Sequence, residues 1–502
     1  MNRTQKFIRS TMATGLYQLV LMLTGFILPR VMLSFYGSEV NGLVSSITQF
    51  INYITLVEAG LSGAAVYALY KPLAENDTHQ ISRVVVATKK FYAKSGWIFV
   101  ALVGLLAAVY PFVVEIETVS MPGVAVLVMV IGVSGIMDFF VLGKYRAILT
   151  ADQKQYVISL ALLLYCILNT VMIILFSALG FGVVFARIAA LVAVFAKTWI
   201  LAAYCKKHYS YLDYSAEPDH KALNKRWDAL VLQILGAVHT GAPVVLSTVL
   251  TTLEHVSIYS VYNMVVNGLN SVLSIFSTGL GAGFGDLIIR KETKKLQKAY
   301  LDFEVAYYAL ITLIYAVAMV QILPFVLLYT EGITDADYHQ PLLGFLFTLN
   351  GFLYNIKTPQ GMLVISAGLY KETRWQTITQ ALIAVVGGVV LGSMYGLVGI
   401  MLAMCISNFY RDIDLLFFIP KHVTHLKMTA SLKNVLLSLG EAALIVGIGM
   451  LIPWNNGGWV LWVLNSVALV AIAVAVIAAG NLLVNRQQIR SVLTRVKQIL
   501  KK

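Results

Sequence analysis

Residues 459–483 read WVLWVLNSVALVAIAVAVIAAGNLL, a run with no charged side chain. Coiled as an α-helix with a rise of 1.5 Å per residue, such a run spans roughly 37 Å, enough to cross a hydrocarbon layer about 30 Å thick. Comparable runs recur along the chain at 11–36, 42–69, 96–114, 122–142, 156–176, 183–205, 227–251, 256–284, 303–329, 341–366, 375–393, 398–419 and 434–452. The pattern predicts an all-α polytopic membrane protein with about fourteen transmembrane helices. Composition leads to the same class. Of 502 residues, 59% are hydrophobic and 12% charged, with mean hydropathy +0.80, whereas soluble domains carry about 25% charged residues. A soluble globule has too little interior to hide that much apolar surface.

A formal net charge of +13 raises nucleic acid as a partner, but the sequence holds no soluble basic domain to bind it. The basic residues read instead as topology anchors. The segments assigned to the cytoplasm, with their margins, hold 33 of the 37 Lys and Arg. The opposite loops hold none and carry Glu39, Glu115, Glu117, Glu254, Glu331, Asp335 and Asp337. This asymmetry predicts both termini inside, and hence an even number of crossings. Arg3, Lys6 and Arg9 precede the first apolar run as in a secretory leader, but that run is too long and lacks a small-residue cleavage site, so it is expected to be a retained helix. Residues 77–95 (DTHQISRVVVATKKFYAKS) are expected to form an amphipathic helix on the inner leaflet, with Arg83, Lys89 and Lys90 toward headgroups. Cys166, Cys205 and Cys405 are widely spaced and read as buried free thiols; no metal-ligand spacing and no cofactor fingerprint is found, so no cofactor is expected.

The chain repeats itself at long range. Pro29-Arg30-Val31-Met32-Leu33-Ser34 answers to Pro243-Val244-Val245-Leu246-Ser247, 214 residues on. Tyr110-Pro111-Phe112-Val113 answers to Leu323-Pro324-Phe325-Val326, Ile148-Leu149-Thr150-Ala151 to Val364-Ile365-Ser366-Ala367, and Leu179-Gly180-Phe181-Gly182 to Tyr395-Gly396-Leu397-Val398, at spacings of 213 to 216. An even number of spans separates the copies, so they share orientation, as parallel transporter repeats do. The expected organisation is an N-terminal six-helix lobe (1–205), a cytoplasmic linker (206–226), a C-terminal six-helix lobe (227–420), then two additional helices with a basic cytoplasmic tail (421–502). Two like-oriented lobes suit alternating access, and the short external loops leave no room for a catalytic domain. A transporter is expected, not an enzyme.

Ile27-Leu28-Pro29-Arg30-Val31, Tyr36-Gly37-Ser38-Glu39-Val40-Asn41-Gly42-Leu43, Leu56-Val57-Glu58-Ala59-Gly60-Leu61, Leu69-Tyr70-Lys71-Pro72-Leu73-Ala74 and Val256-Ser257-Ile258-Tyr259-Ser260-Val261-Tyr262-Asn263-Met264 resemble the Wzx-type oligosaccharide flippases of the MOP superfamily, whose relatives include MATE drug exporters and MurJ-type lipid II flippases. The resemblance covers most of the chain to about residue 420. It implies a flippase that carries undecaprenyl-pyrophosphate-linked sugar units from the inner to the outer leaflet, for a capsule, exopolysaccharide or similar surface glycan. It also implies pathway glycosyltransferases and a polymerase as partners, and H+ or Na+ as a coupling ion.

Ionisable side chains within spans are expensive and usually face an interior or a wet cavity. Four cations stand outside the cytoplasmic segments: Arg30, Arg187, Lys197 and Lys357. A pyrophosphate in a low-dielectric path needs such partners, and Arg supplies a planar fork for two phosphate oxygens. Arg30, beside the helix-bending Pro29, and Lys357, flanked by Asn355, Thr358 and Pro359, are the leading candidates; each also reads as an interface anchor or an internal ion-pair partner. Glu58 is a candidate ion-coupling site, or a structural partner of Arg30 or Lys357. Asp138 and Arg146 are candidates for a cytoplasmic gate or a helix-end anchor, and His239 and Glu441 read as packed polar groups. A polyprenyl tail needs a groove, which the last two helices are placed to supply. Four readings compete: a MATE-type H+/Na+-coupled drug exporter, with acids for cationic drugs; a MurJ-type lipid II flippase; a glycan polymerase, disfavoured by the loops and the repeat; and a non-transporting scaffold for glycosyltransferases.

Overall fold

The computed structural model describes residues 3–59, 61–219, 226–277, 280–455 and 457–491, with side chains described from residue 9 onward except at 226–233 and 282. Among the described residues every regular element is helical. Nine helical stretches among the described residues are long and apolar enough to cross a membrane. Two of these, Arg9–Glu58 and Arg374–Thr424, have 50 and 51 residues, more than twice what one crossing needs. Each is broken at a glycine in a conformation closed to other residues: Gly37 at φ 82°, ψ 178° and Gly396 at φ 57°, ψ −136°. The expected loops between spans 1 and 2 and between spans 11 and 12 are therefore glycine joints between helices. The shorter apolar stretch Ile234–Leu250 matches the expected seventh span.

The chain forms two compact units, Met1–Ser257 and Ile258–Lys502. In the first, α1 (Arg3–Ile54) ends in a 3-10 turn over Thr55–Glu58, followed by α2 (Leu61–Glu75) and α3 (Thr78–Val109). Then come α4 (Met121–Met137), a π-helical turn over Asp138–Leu142, α5 (Gly143–Ala151), α6 (Gln155–Ala178), α7 (Val183–His208) and α8 (Arg226–Leu250). The expected surface helix at 77–95 is absent as such. It is the first half of α3, continuous with the third span, and Ile81, Val84, Val85, Ala87 and Tyr92 are buried. The segment after α7 straps onto this half: the amide of Asp213 donates to Ser82 Oγ (3.1 Å), Arg83 Nε donates to the Glu217 carbonyl (3.3 Å), and Gln80 Nε2 donates to Asp219 Oδ2 (2.9 Å). Lys89 and Lys144 lie over the Tyr214 ring. An amphipathic pattern specifies an apolar face but not whether lipid or protein covers it, and here protein covers it.

The second unit takes in most of α9 (Leu253–Ser277), then α10 (Leu280–Ile289), α11 (Thr293–Tyr329), α12 (Pro341–Ile356) and α13 (Thr358–Ala367). It continues with α14 (Arg374–Leu382), a π-helical turn over Ile383–Gly387, α15 (Gly388–Ile419), α16 (Met428–Leu451) and α17 (Trp459–Val484). The last two helices pack on α11: Trp462 Nε1 donates to the Gln321 carbonyl (3.2 Å), and Phe325 meets the rings of Trp459 and Trp462.

The internal repeat is visible in backbone detail. The helix of span 4 passes through the π turn at 138–142 before α5; the helix of span 10 breaks at Lys357 before α13. Both short helices end on a left-handed residue, Gln153 (φ 58°) and Gly368 (φ 68°), 215 positions apart. Both close with the same long backbone bond, Lys154 N to Leu149 O at 2.8 Å and Leu369 N to Val364 O at 3.0 Å. Gly180 and Gly396, paired by sequence, both have positive φ.

Candidate functional site

Three spans of the first unit bring charges together. The 3-10 turn at 55–58 replaces the α-helical spacing of span 2 and sets Glu58 against α3, where it shares a hydrogen bond with Tyr92. Arg146 and Asp138 act electrostatically on the same carboxylate. Asp138 sits at the start of the π turn, a local distortion that often re-aims a functional side chain. From α7, Lys197, only 3% exposed, reaches Asp138 Oδ1 at 3.1 Å and lies 5.0 Å from the centre of the Tyr165 ring. One face of Tyr165 thus meets Lys197, while its hydroxyl bonds Ser134 and its charge field includes Arg187. Arg187 Nε is buried without a hydrogen-bond partner.

The result is a cluster of two carboxylates (Glu58, Asp138), three cations (Arg146, Lys197, Arg187) and the phenols Tyr92 and Tyr165. Of the expected site residues, Arg187, Lys197, Glu58, Asp138 and Arg146 fall in or beside it. Arg146 is the cation acting on Glu58, where the sequence had offered Arg30 or Lys357. Arg30 is half-buried on α1, one residue after Pro29, and makes contacts of its own.

Lys357 belongs to a second polar cluster, within the second unit. Its ammonium donates to Asn408 Oδ1, which also accepts from Gln380 Nε2 (3.2 Å), while Asn408 Nδ2 donates to Asn350 Oδ1 (2.8 Å). Close by, Tyr307 donates to Asn355 Oδ1 (2.9 Å), and Tyr315 and Asn355 both donate to Asn270 Oδ1 at 2.7 Å. A deeper knot surrounds Glu304, which is fully buried and accepts from Tyr300 (2.6 Å), Gln360 (3.2 Å) and Asn434 (2.8 Å). Glu441 accepts from Asn481 at 3.0 Å and is a packed polar group, as expected.

Two acids of the second unit escaped the sequence reading: Glu304, and Asp412, which lies in the electrostatic reach of Lys357. Glu304 lies two residues inside an expected span and passes for a helix-end anchor. Asp412 stands in Arg411-Asp412-Ile413-Asp414, where the ion pair of Arg411 and Asp414 (2.6 Å) makes the whole run resemble an interfacial anchor. The signal was present: a third charge, on another face of the helix from that pair.

Among protein-family models and curated proteins, none matches the chain. Solved structures do. The fold is shared with solved transporters. In particular, the chain is similar to the lipid II flippase MurJ in its inward closed conformation (TM-score 0.65, 15% identity, covering 93% of this chain and 98% of that one). It is also similar to a MATE-family multidrug resistance transporter in an inward-facing conformation (TM-score 0.58, 15% identity, 88% and 98% covered). A third match is a MOP-superfamily transporter from Pyrococcus furiosus (TM-score 0.53, 15% identity, 87% and 95% covered). At such identities the likeness establishes the fold, and function has to be argued from the site.

Proposed function

We propose that the protein is a flippase for a lipid-linked oligosaccharide with a pyrophosphate headgroup, carrying it from the inner to the outer leaflet by alternating access. The observation that carries this reading is the surplus of cations in the first unit. Arg146, Lys197 and Arg187 outnumber Glu58 and Asp138, and the Arg187 Nε–H points at no acceptor. A buried donor left unsatisfied costs about 1–3 kcal/mol, and a phosphate oxygen is the acceptor that would remove that cost. Arg30 in the first unit and, separately, Lys357 in the second are proposed as further phosphate contacts, and Asp138 with Arg146 as a cytoplasmic gate. Glu58, held by Tyr92, is proposed to couple transport to an ion gradient.

The lipid tail requires apolar surface beside the polar path. A cavity of about 450 Å³ lies between the end of α11 (Leu323, Pro324, Leu327, Leu328), Glu331 in the turn after it, and Gly457–Gly458 before α17, which supports a tail groove involving the last two helices. Removing residues 434–483 without loss of transport would rule that groove out.

The test of the whole reading is complementation of a strain lacking its oligosaccharide flippase, scored by surface glycan. Restoration by the wild-type chain, and at least a tenfold loss with Arg187→Ala plus Lys197→Ala, is expected. Full export by that double variant would refute the role of the cluster. The MATE-type reading draws on the two carboxylates of the same cluster, which suit a cationic drug. It predicts raised drug resistance in a sensitive host and no rescue of the glycan. Glycosyltransferases and a polymerase as partners follow only if the glycan returns.

A further inference from the structure

The two units place opposite charges at corresponding points. In the first, α7 carries Lys197 and the distorted turn of span 4 carries its partner Asp138, 3.1 Å away. In the second, α15 carries Asp412, 215 positions after Lys197, and the break in span 10 carries Lys357, one helical turn from the position that repeats Asp138. The base of the first unit has become an acid, and the acid a base.

The pairs also differ in state. Lys197 and Asp138 are closed on each other. Lys357 and Asp412 interact across a gap: the Lys357 ammonium rests on Asn408 Oδ1, and neither Asp412 oxygen has a hydrogen-bond partner, although the residue is only 5% exposed. Asn408 and Asp412 lie four residues apart on one face of α15, so about 6 Å separates the two resting places available to the ammonium. The charged and titratable groups around Asp412 are few. From the junction of α12 and α13 it faces Lys357, and from α11 the hydroxyl of Tyr308, which is already bonded to the Ile356 carbonyl and to Gln360. On its own helix Arg411 is committed to Asp414. The side chains that α12 and α14 present to Asn408, Asn350 and Gln380, are neutral.

An ionised carboxylate buried without partners is strongly unfavourable. Only two events relieve it here: a proton binds, or the Lys357 ammonium moves over from Asn408. We propose that Asp412 is a proton-binding site and that Lys357 exchanges with the proton there. With the proton on Asp412, the ammonium sits on Asn408, as in this structure. When the ammonium moves to Asp412, the O–H bond breaks, the proton passes to water, and the carboxylate is held by the ammonium instead. Lys357 stays charged throughout, so the site changes by one unit of charge per cycle. Because Lys357 is the residue at which span 10 breaks, this exchange acts on the joint between α12 and α13. The proposal deepens the transporter reading by adding a proton site in the second unit beside the coupling role proposed for Glu58 in the first, and it rests on that reading for its purpose, though not for its chemistry.

The experiment is infrared difference spectroscopy of the full-length protein in liposomes, titrated across pH with no transported substrate, in sodium-free and sodium-containing buffer. A carbonyl band of a buried carboxylic acid is expected to disappear on raising the pH, to be missing altogether in Asp412→Asn, and to persist in Lys357→Met at the pH where the wild type loses it. If the wild type shows no such band, or Asp412→Asn keeps it, the proposal is overturned. It is equally overturned if sodium at constant pH abolishes the band in the wild type, which would make this a sodium site. Should Asp412→Asn fail to fold, the wild-type titration and Lys357→Met still decide. Because no substrate is present, failure of the flippase reading would leave this result untouched.

Discussion

Lys197 Nζ on α7 lies 3.1 Å from Asp138 Oδ1 at the π turn between α4 and α5, with the lysine almost wholly buried and the aspartate side chain 31% exposed. The pair ties the helix of span 6 to the one place where the helix of span 4 departs from α geometry. Removing one partner of a fully buried pair costs about 3–5 kcal/mol; with Asp138 partly open, about 2 kcal/mol is expected. Lys197→Met should therefore lower the thermal midpoint of the purified protein, and the charge swap Lys197→Asp with Asp138→Lys should recover at least half of the loss. A swap no better than the single variant would show that packing, not the pair, sets the effect.

Gly42 should tolerate no side chain. A Cβ there would stand 1.8 Å from the Leu253 carbonyl oxygen and 3.2 Å from the Ser257 amide, and backbone atoms cannot swing aside as a side-chain tip can. The neighbouring bond from Asn41 Nδ2 to Ser257 Oγ, at 2.7 Å, depends on the same close approach. Gly42→Ala is expected to destabilise by about 3 kcal/mol, measured by detergent-solubilised melting. Gly63, whose Cβ would meet nothing within 4 Å, is the control, and Gly63→Ala should leave the midpoint in place.

Glu304 is expected to be structural. Tyr300 of α11 itself, Gln360 of α13 and Asn434 of α16 all donate to it. Glu304→Ala strands these three buried donors and should cost about 3 kcal/mol, loosening α16 from α11. Glu304→Gln keeps the shape and an acceptor and should lose less than half as much. Protease susceptibility between α15 and α16 provides a second readout, and equal sensitivity of the two variants would count against this role.

The strap after α7 should release in alkali. Burial, and after it the Asp152 carboxylate to which the phenol donates at 2.8 Å, hold the Tyr209 hydroxyl above its ordinary 10.0. An acid raised in the folded state stabilises the fold fully below its unfolded value, and that contribution fades as pH climbs from about 10 toward the folded value. Amide exchange across 209–219 should therefore be pH-independent, after correction for intrinsic rates, to about pH 10 and rise above it. Tyr209→Phe, which loses one hydrogen bond of about 1 kcal/mol, should exchange faster at neutral pH and lack the alkaline step.

The membrane fold was legible from composition and run length alone. Burying an apolar helix in lipid depends on its own twenty or so residues, with no need to know its neighbours. The repeat was legible too, since prolines and glycines at fixed spacing mark backbone events that are local, as Gly180, Gly396 and the paired ends of α5 and α13 confirm. The surface helix at 77–95 was misread because hydrophobic periodicity is blind to what covers the apolar face. The ionisable residues were legible as a set but not as partners. Arg146 against Glu58, Lys197 against Asp138 and Lys357 against Asn408 join residues 51 to 88 positions apart, and their meeting depends on how long helices are rotated and where they break. An electrostatic partner falls off steeply over a few ångströms, so a shift of one helical turn, about 5.4 Å, decides whether an ammonium meets a carboxylate or an amide. The sequence alone determined that this chain crosses a membrane many times, in two copies of one plan, with charges inside. Which of those charges are closed on one another, and that both oxygens of Asp412 are left without a hydrogen bond, only the packing of the helices decided.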